Sequence, residues 1–248
     1  MDYEIRDEDD LQFYLMKRFK LGEFAKVKRI STIEISPEID LVDVNESQKL
    51  VTGFEFKLLK YRKKWKRVSF HSMYQGIGQA LSYFQFGVDK SYLVLGLSKG
   101  IPDEIFSRTI KKIEETITIF NTLRKFVTEN VEKIAEKIGK LQGIIQNVQS
   151  LYRTEAMPVY DLRIHPMLEK STKSFQELLE SFRERGITGI GSFGIMVWIE
   201  HDDQLMTKLE AEENFPVFSN KDLQHKKECL LRKEFRYDKN FLTRGKLR

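Results

Sequence analysis

The chain holds one cysteine, Cys229, in 248 residues. No internal disulfide can form, so a reducing, cytoplasmic setting is expected. Histidine is scarce as well. His71, His165, His201 and His225 show no metal-ligand spacing and read as surface or core residues rather than zinc ligands. No apolar run reaches the length needed to cross a bilayer, so no membrane partner is expected. The acidic N-terminus lacks the charged-then-apolar layout of a signal peptide. There is no strong internal repeat and no low-complexity tract. What is present is 41% hydrophobic and 32% charged residues, enough for one generous core or one core plus an appendage. A net charge of +5 fits a polyanionic partner, a property that many ordinary proteins share.

The stretch that carries chemistry is ISPEIDLVDVNESQKLVTGFEFKLLK. Side chains alternate faces along a strand. In 52–57, Glu55 and Lys57 therefore share one face while Phe54 and Phe56 take the other. In 37–42, Glu38 and Asp40 share a face while Ile39 and Leu41 point oppositely. Asn45-Glu46-Ser47-Gln48 reads as the polar turn between the two strands. Antiparallel pairing then brings Asp40 close to Glu55. Two carboxylates and an ammonium on facing strands suit Mg²⁺-dependent phosphodiester hydrolysis, because hard divalent cations take oxygen ligands and keep several waters. A lysine beside them orients or deprotonates the attacking water, or neutralises charge building on phosphorus. The competing reading is two solvated strand faces with chance acids, since Glu-x-Lys is a common spelling.

A helix over 70–84 follows, with Gln75, Gln79 and Tyr83 along one face, and then a buried strand over 91–97. This order of Asp, turn, Glu-x-Lys, glutamine-bearing helix and apolar strand resembles the PD-(D/E)xK nuclease superfamily, in its RecB-like or archaeal resolvase-like branch. Gln79-x-x-x-Tyr83 looks like the Gln-x-x-x-Tyr element of the RecB-like branch. The resemblance implies an α/β, restriction-endonuclease-like mixed central β-sheet flanked by helices. It implies Asp40 and Glu55 as metal-binding acids with the Phe56 backbone carbonyl, Lys57 as the catalytic lysine, and Gln79 as a residue that supports the site or touches nucleic acid, with Tyr83 following. Mg²⁺ is the implied cofactor, with Mn²⁺ as a substitute. The family's Pro-Asp pair is Pro37-Glu38 here, which leaves Glu38 open as a ligand beside or instead of Asp40. Glu8 is a further candidate acid on the first helix, although acids in a first turn also complement the helix dipole.

The remainder of the chain reads as follows. Residues 5–20 form a helix and 26–36 the first strand. The basic run Arg62-Lys63-Lys64-Trp65-Lys66-Arg67 is either a phosphate-contacting loop or a solvated one. With Gln75 and Tyr83 it makes up the candidate nucleic-acid-binding set. From Asp103 to about Tyr152 there is no proline, and apolar residues recur at threes and fours, slipping phase where Arg124 falls on the seam. A helical arm or a dimerising coiled coil fits this stretch, and a helical subdomain packed on the core is the alternative. A connector and a further helix over 167–185 follow. Gly189-x-Gly-x-x-Gly has a dinucleotide-binding spelling, but it leads into a strand instead of opening a helix, so that reading is rejected.

The expected organisation is a nuclease-like core over 1–100 and 186–218, a helical insertion over 101–185, and a basic C-terminal segment over 219–248. The expected function is metal-dependent hydrolysis of DNA, as an endonuclease. A nucleic-acid-binding or assembly protein without activity and a nuclease acting on RNA are the alternatives. Expected partners are DNA and a second copy of the chain through the insertion, with no small-molecule cofactor beyond the metal.

Overall fold

The apolar alternation of the first hundred residues forms strands that pair with their sequence neighbours. The computed structural model describes residues 5–125, 191–212 and 221–244. Strands β1 (Phe24–Ile30), β2 (Ile33–Asn45) and β3 (Leu50–Leu59) run up and down as an antiparallel meander. A separate two-stranded hairpin, β4 (Tyr61–Arg62) with β5 (Arg67–Val68), leaves the end of β3. Helix α2 (His71–Ser82) then carries the chain over to β6 (Lys90–Leu97), which pairs parallel to β3. Strand β7 (Phe193–Ile199) adds parallel to β6, and β8 (Gln204–Leu209) closes that side antiparallel. At the other edge, β9 (Phe235–Arg236) pairs with β1. The protein is thus α/β, with a mixed seven-stranded sheet in the order β8-β7-β6-β3-β2-β1-β9.

Helices cover both faces. Helix α1 (Glu8–Phe19) begins at Asp7, whose carboxylate accepts the Asp10 N–H, and three acids in its first turn complement the dipole. It buries Leu11, Leu15 and Met16 against Phe54, Phe56, Leu58 and Trp198. The opposite face of the sheet, with Leu93, Leu95, Ile195 and Val197, is covered by α2 and by a helix over residues 103–125, α3.

One expectation changes here and two others narrow. The first strand expected over 26–36 is two strands, because the tight turn at Ser31-Thr32 contains neither Gly nor Pro to announce it. Of the two readings of the stretch from Asp103, residues 103–125 follow the alternative, a helix packed on the core. Ile113 and Phe120 of α3 are buried, and Phe120 lies 4.8 Å from the Phe193 ring. Arg124, on the apolar seam, donates its guanidinium to the carbonyls of Phe193 and Glu210. Finally, the described part of the basic C-terminal segment is built into the fold. Helix α4 (Lys221–Leu231) buries Leu223, Cys229 and Leu230, and Phe235 and Tyr237 each pack 5.0 Å from the Phe24 ring. The short helix α5 (Phe241–Arg244) follows. The remaining coiled-coil and dimer expectation, the connector and the helix over 167–185 lie outside the described residues.

Candidate active site

Asp40 and Glu55 meet where β2 leaves β3 while still paired with β1. The ladder between β2 and β3 runs from Asn45–Leu50 to Leu41–Phe54 and stops there. Beyond it, the Asp40 carboxylate itself accepts the Phe56 N–H at 3.0 Å. On the other side, Ala25 pairs with Leu41 and Val27 with Ile39, leaving Lys26 opposite Asp40 in a left-handed conformation (φ 54°). The face alternation slips by one at this point. Ile39 and Val42 belong to one apolar cluster, and Leu41 to the cluster under α1. The simple expectation that Ile39 and Leu41 share a face is corrected accordingly, while the β1–β2 register itself runs unchanged past Asp40 and shifts between Val27 and Arg29.

Leaving the ladder strands two backbone groups, and side chains take both. Gln12 of α1, fully buried, donates its amide to the Asp40 carbonyl at 2.6 Å. The Asp40 N–H reaches the Tyr83 hydroxyl at 3.3 Å. Buried backbone groups without partners are costly, so these two residues make the irregularity at Asp40 affordable. The Tyr83 hydroxyl also bonds the Glu38 carbonyl at 3.2 Å and the Glu55 carboxylate. Tyr83 was expected among the nucleic-acid contacts. It lies instead inside the protein, with its hydroxyl committed to the two acids' supports.

Charge is balanced by two lysines. Lys57 Nζ lies 2.7 Å from Glu55 and 3.2 Å from Glu8 on α1. Lys26 Nζ lies 2.8 Å from Asp40 and 3.0 Å from Asp9. Glu38 sits further out, 3.3 Å from Lys28, with its carboxylate half-exposed. Asp40, Glu55, Lys57 and Glu8 are thus brought together, and Glu38 falls on the rim. Gln79 makes no bond to the acids, and its Oε1 is buried without a hydrogen-bond partner. Gln75 and the cations of 62–67 are exposed. Sequence reasoning missed Lys26 and Gln12. Neither has a spacing signal, and only the slip at Asp40 gives them a purpose.

Glu55 is 1% exposed. Burial, and next the Asp40 carboxylate, push its pKa up from 4.5 to about 7, against the pull of Lys57 and Tyr83. For Lys57 and Lys26 burial acts downward, but the facing carboxylates outweigh it and both ammonium groups are held charged. Glu55 therefore takes up a proton on folding between pH 4.5 and about 7. Its contribution to stability is present below pH 4.5 and lost as pH rises through 7. Metal-free protein is expected to lose part of its urea resistance between pH 4.5 and about 7, the window of that shift. Glu55→Gln should flatten this slope, and an unchanged slope in the variant would place its source elsewhere.

Gly76 lets α2 sit against the site. A Cβ there would lie 2.7 Å from Lys57 Cγ and 2.7 Å from Leu93 Cδ1. Gly76→Val is expected to displace the Lys57 stem and to lower stability by about 1–3 kcal/mol through overpacking, measured by urea denaturation. Tyr83→Phe keeps the ring and removes only the hydroxyl. If the site is catalytic, its turnover should fall about 10- to 100-fold with substrate affinity unchanged, the usual scale for a group that orients a ligand. Single-turnover kinetics at saturating substrate separates the two effects.

A cleft of about 690 Å³ runs between the start of α1, the β4–β5 hairpin and the start of α2, with Asp7, Glu8, Asp9, Lys60, Arg62 and Ser72 in its wall, and it meets the site through Glu8 and not through Asp40 or Glu55. Among the described residues, no group of three His, Cys, Asp or Glu side chains is gathered closely enough to hold a metal ion by itself. Comparison with protein-family models, curated proteins and solved structures returns no match.

Proposed function

We propose that this chain is a metal-dependent nuclease of the PD-(D/E)xK superfamily with a restriction-endonuclease-like core, cutting phosphodiester bonds in DNA as an endonuclease. The observation that carries this reading is the meeting of Asp40, Glu55 and Lys57 at one irregularity of the sheet, with Glu8 reaching in from α1. The run of elements from α1 through the β1–β3 meander and α2 to the parallel β6 supports it.

The donor set suits Mg²⁺ or Mn²⁺. It consists of hard oxygens, and Mg²⁺ is usually bound by only one or two carboxylates and several waters. The raised pKa of Glu55 beside Asp40 marks a place where added positive charge is favoured. Asp40, Glu55 and the Phe56 carbonyl would hold the ion, with Glu8 as a further acid. When bound, it supplies Lewis-acid activation of water and of the scissile phosphate. Lys57 holds a proton between Glu55 and Glu8, orients the attacking water and offsets charge that builds on the phosphoryl oxygens. Tyr83 and Gln12 fix the two acids, and the exposed cations of 62–67 contact backbone phosphates.

A second reading is a nucleic-acid-binding or assembly protein without cleavage. One observation favours it, namely that both acids are already paired with lysines, as in a structural ion-pair network. Incubation of single-stranded, duplex and branched DNA, and of RNA, with Mg²⁺, Mn²⁺ or EDTA decides between them. Cleavage with the metals and none with EDTA is expected on DNA. Binding without cleavage of any substrate would select the second reading, and cleavage of RNA alone would move the substrate.

A further inference from the structure

The β4–β5 hairpin is an unusual surface. Its root is fixed, since Val68 is buried, Tyr61 packs on the core beneath it, and Lys60 donates to the Arg6 carbonyl of the chain entering α1. Its tip buries nothing. Lys63–Trp65 form a single 3₁₀ turn closed by Lys66 in a left-handed conformation (φ 46°). Trp65 stands 58% exposed. Lys64 and Arg67 lie 5.4 and 5.9 Å from its ring centroid. The hairpin's own charge has one sign, because no Asp or Glu occurs between Glu55 and Asp89, and acids enter only at its root, where Asp7, Glu8 and Asp9 line the cleft.

We propose that Trp65 is a base-stacking residue and that the β4–β5 hairpin takes unpaired nucleotides, feeding a single strand along the cleft toward Lys57. This rests on the nucleic-acid reading above and names its substrate. An aromatic face stacks on any base, whereas cations recognise only phosphate, and the two together are the usual equipment for gripping a single strand. In a duplex both faces of every internal base are already stacked, so Trp65 would have nothing to meet and only the phosphate contacts would remain. The cations beside the ring are placed to take the phosphates of a nucleotide stacked on it. The cleft is lined at the hairpin root by Lys60 and Arg62 and at the start of α1 by Asp7, Glu8 and Asp9, and Glu8 is 3.2 Å from Lys57 Nζ.

The protein carries its own probe. Of its two tryptophans, Trp198 is 2% exposed, so a change in tryptophan fluorescence on binding reports Trp65. The experiment titrates wild type, Trp65→Ala and Trp65→Phe in EDTA with oligothymidylate, oligouridylate and a blunt DNA duplex of equal length. The same wild-type preparation is assayed for cleavage with Mg²⁺. The expected result is quenching by the single strand and little by the duplex. Trp65→Ala should lose about ten-fold in single-strand affinity with duplex affinity unchanged. Trp65→Phe should bind well without the optical response. Equal affinity for single strand and duplex, or a Trp65→Ala variant that binds like wild type while wild type still cleaves DNA, overturns the stacking role alone. No binding and no cleavage by wild type overturns the nuclease reading with it. Quenching by oligouridylate only supports stacking and assigns the strand to RNA.

Discussion

Lys57→Met is expected to reduce Mg²⁺-dependent cleavage by about a thousand-fold, the upper scale for removing one group that stabilises charge in the transition state. Methionine keeps the aliphatic stem that packs beneath Gly76 and removes only the ammonium. Glu55 would then keep Tyr83 as its polar partner and would bind a proton more readily at neutral pH, because burial and Asp40 both favour its neutral form. The folded state survives by that protonation. Nucleic-acid binding in EDTA should stay within about two-fold of wild type, since Lys57 is buried and the exposed cations carry phosphate affinity. Single-turnover cleavage and a binding titration on the same preparation check both halves. A variant that cleaves within ten-fold of wild type removes Lys57 from the chemistry and, with it, the main support for the nuclease reading.

Asp40→Ala is expected to be the most destabilising change at the site, and Asp40→Asn much less so. Alanine leaves the buried Phe56 N–H without an acceptor and takes from Lys26 its nearer carboxylate. Breaking a buried pair by removing one member costs on the order of 3 kcal/mol or more. Asparagine still offers an oxygen to Phe56 and loses chiefly the charge attraction, with Asp9 remaining as a partner for Lys26. Both variants should be inactive, because neither presents a carboxylate. Urea unfolding of the two variants separates the structural share from the chemical share. Cleavage by Asp40→Asn at the wild-type rate would show that the charge is used only to hold β1, β2 and β3 together.

Helices α1 and α2 and the β2–β3 hairpin were legible from their periodicity, and β6 from its continuous apolar run, whereas β1 and the start of β2 read as one strand and β4 and β5 as a loop. Alternation also sufficed to put Asp40 opposite Glu55. It failed at Asp40 itself, since a pattern that assumes a regular ladder has no way to register a slip of one residue. Lys26 was hidden for the same reason. A lysine with positive φ carries no glycine or asparagine to announce it, and its value lies in facing an acid fourteen positions later. Gln12 looked like an ordinary polar position on an amphipathic helix, although its partner is a carbonyl released by the slip. The role of Arg124 was hidden too, because a charge on an apolar seam does not show in the sequence that two carbonyls, of Phe193 and Glu210, will satisfy it.

The parallel contact between β6 and β7 has a bearing on how the molecule comes to be made. All the residues of the site, from Glu8 to Tyr83, leave the ribosome before β7 does, and β6 lies between two neighbours of which only β3 precedes it. Until Phe193–Ile199 has been synthesised, the nascent chain carries β6, a fully buried strand in the finished protein, with one open edge. Such an edge is a template for pairing with another chain. The cell therefore faces a period during each round of translation in which the half that carries the candidate site is assembled but β6 is unprotected along one edge, and yield should depend on how quickly the downstream half arrives.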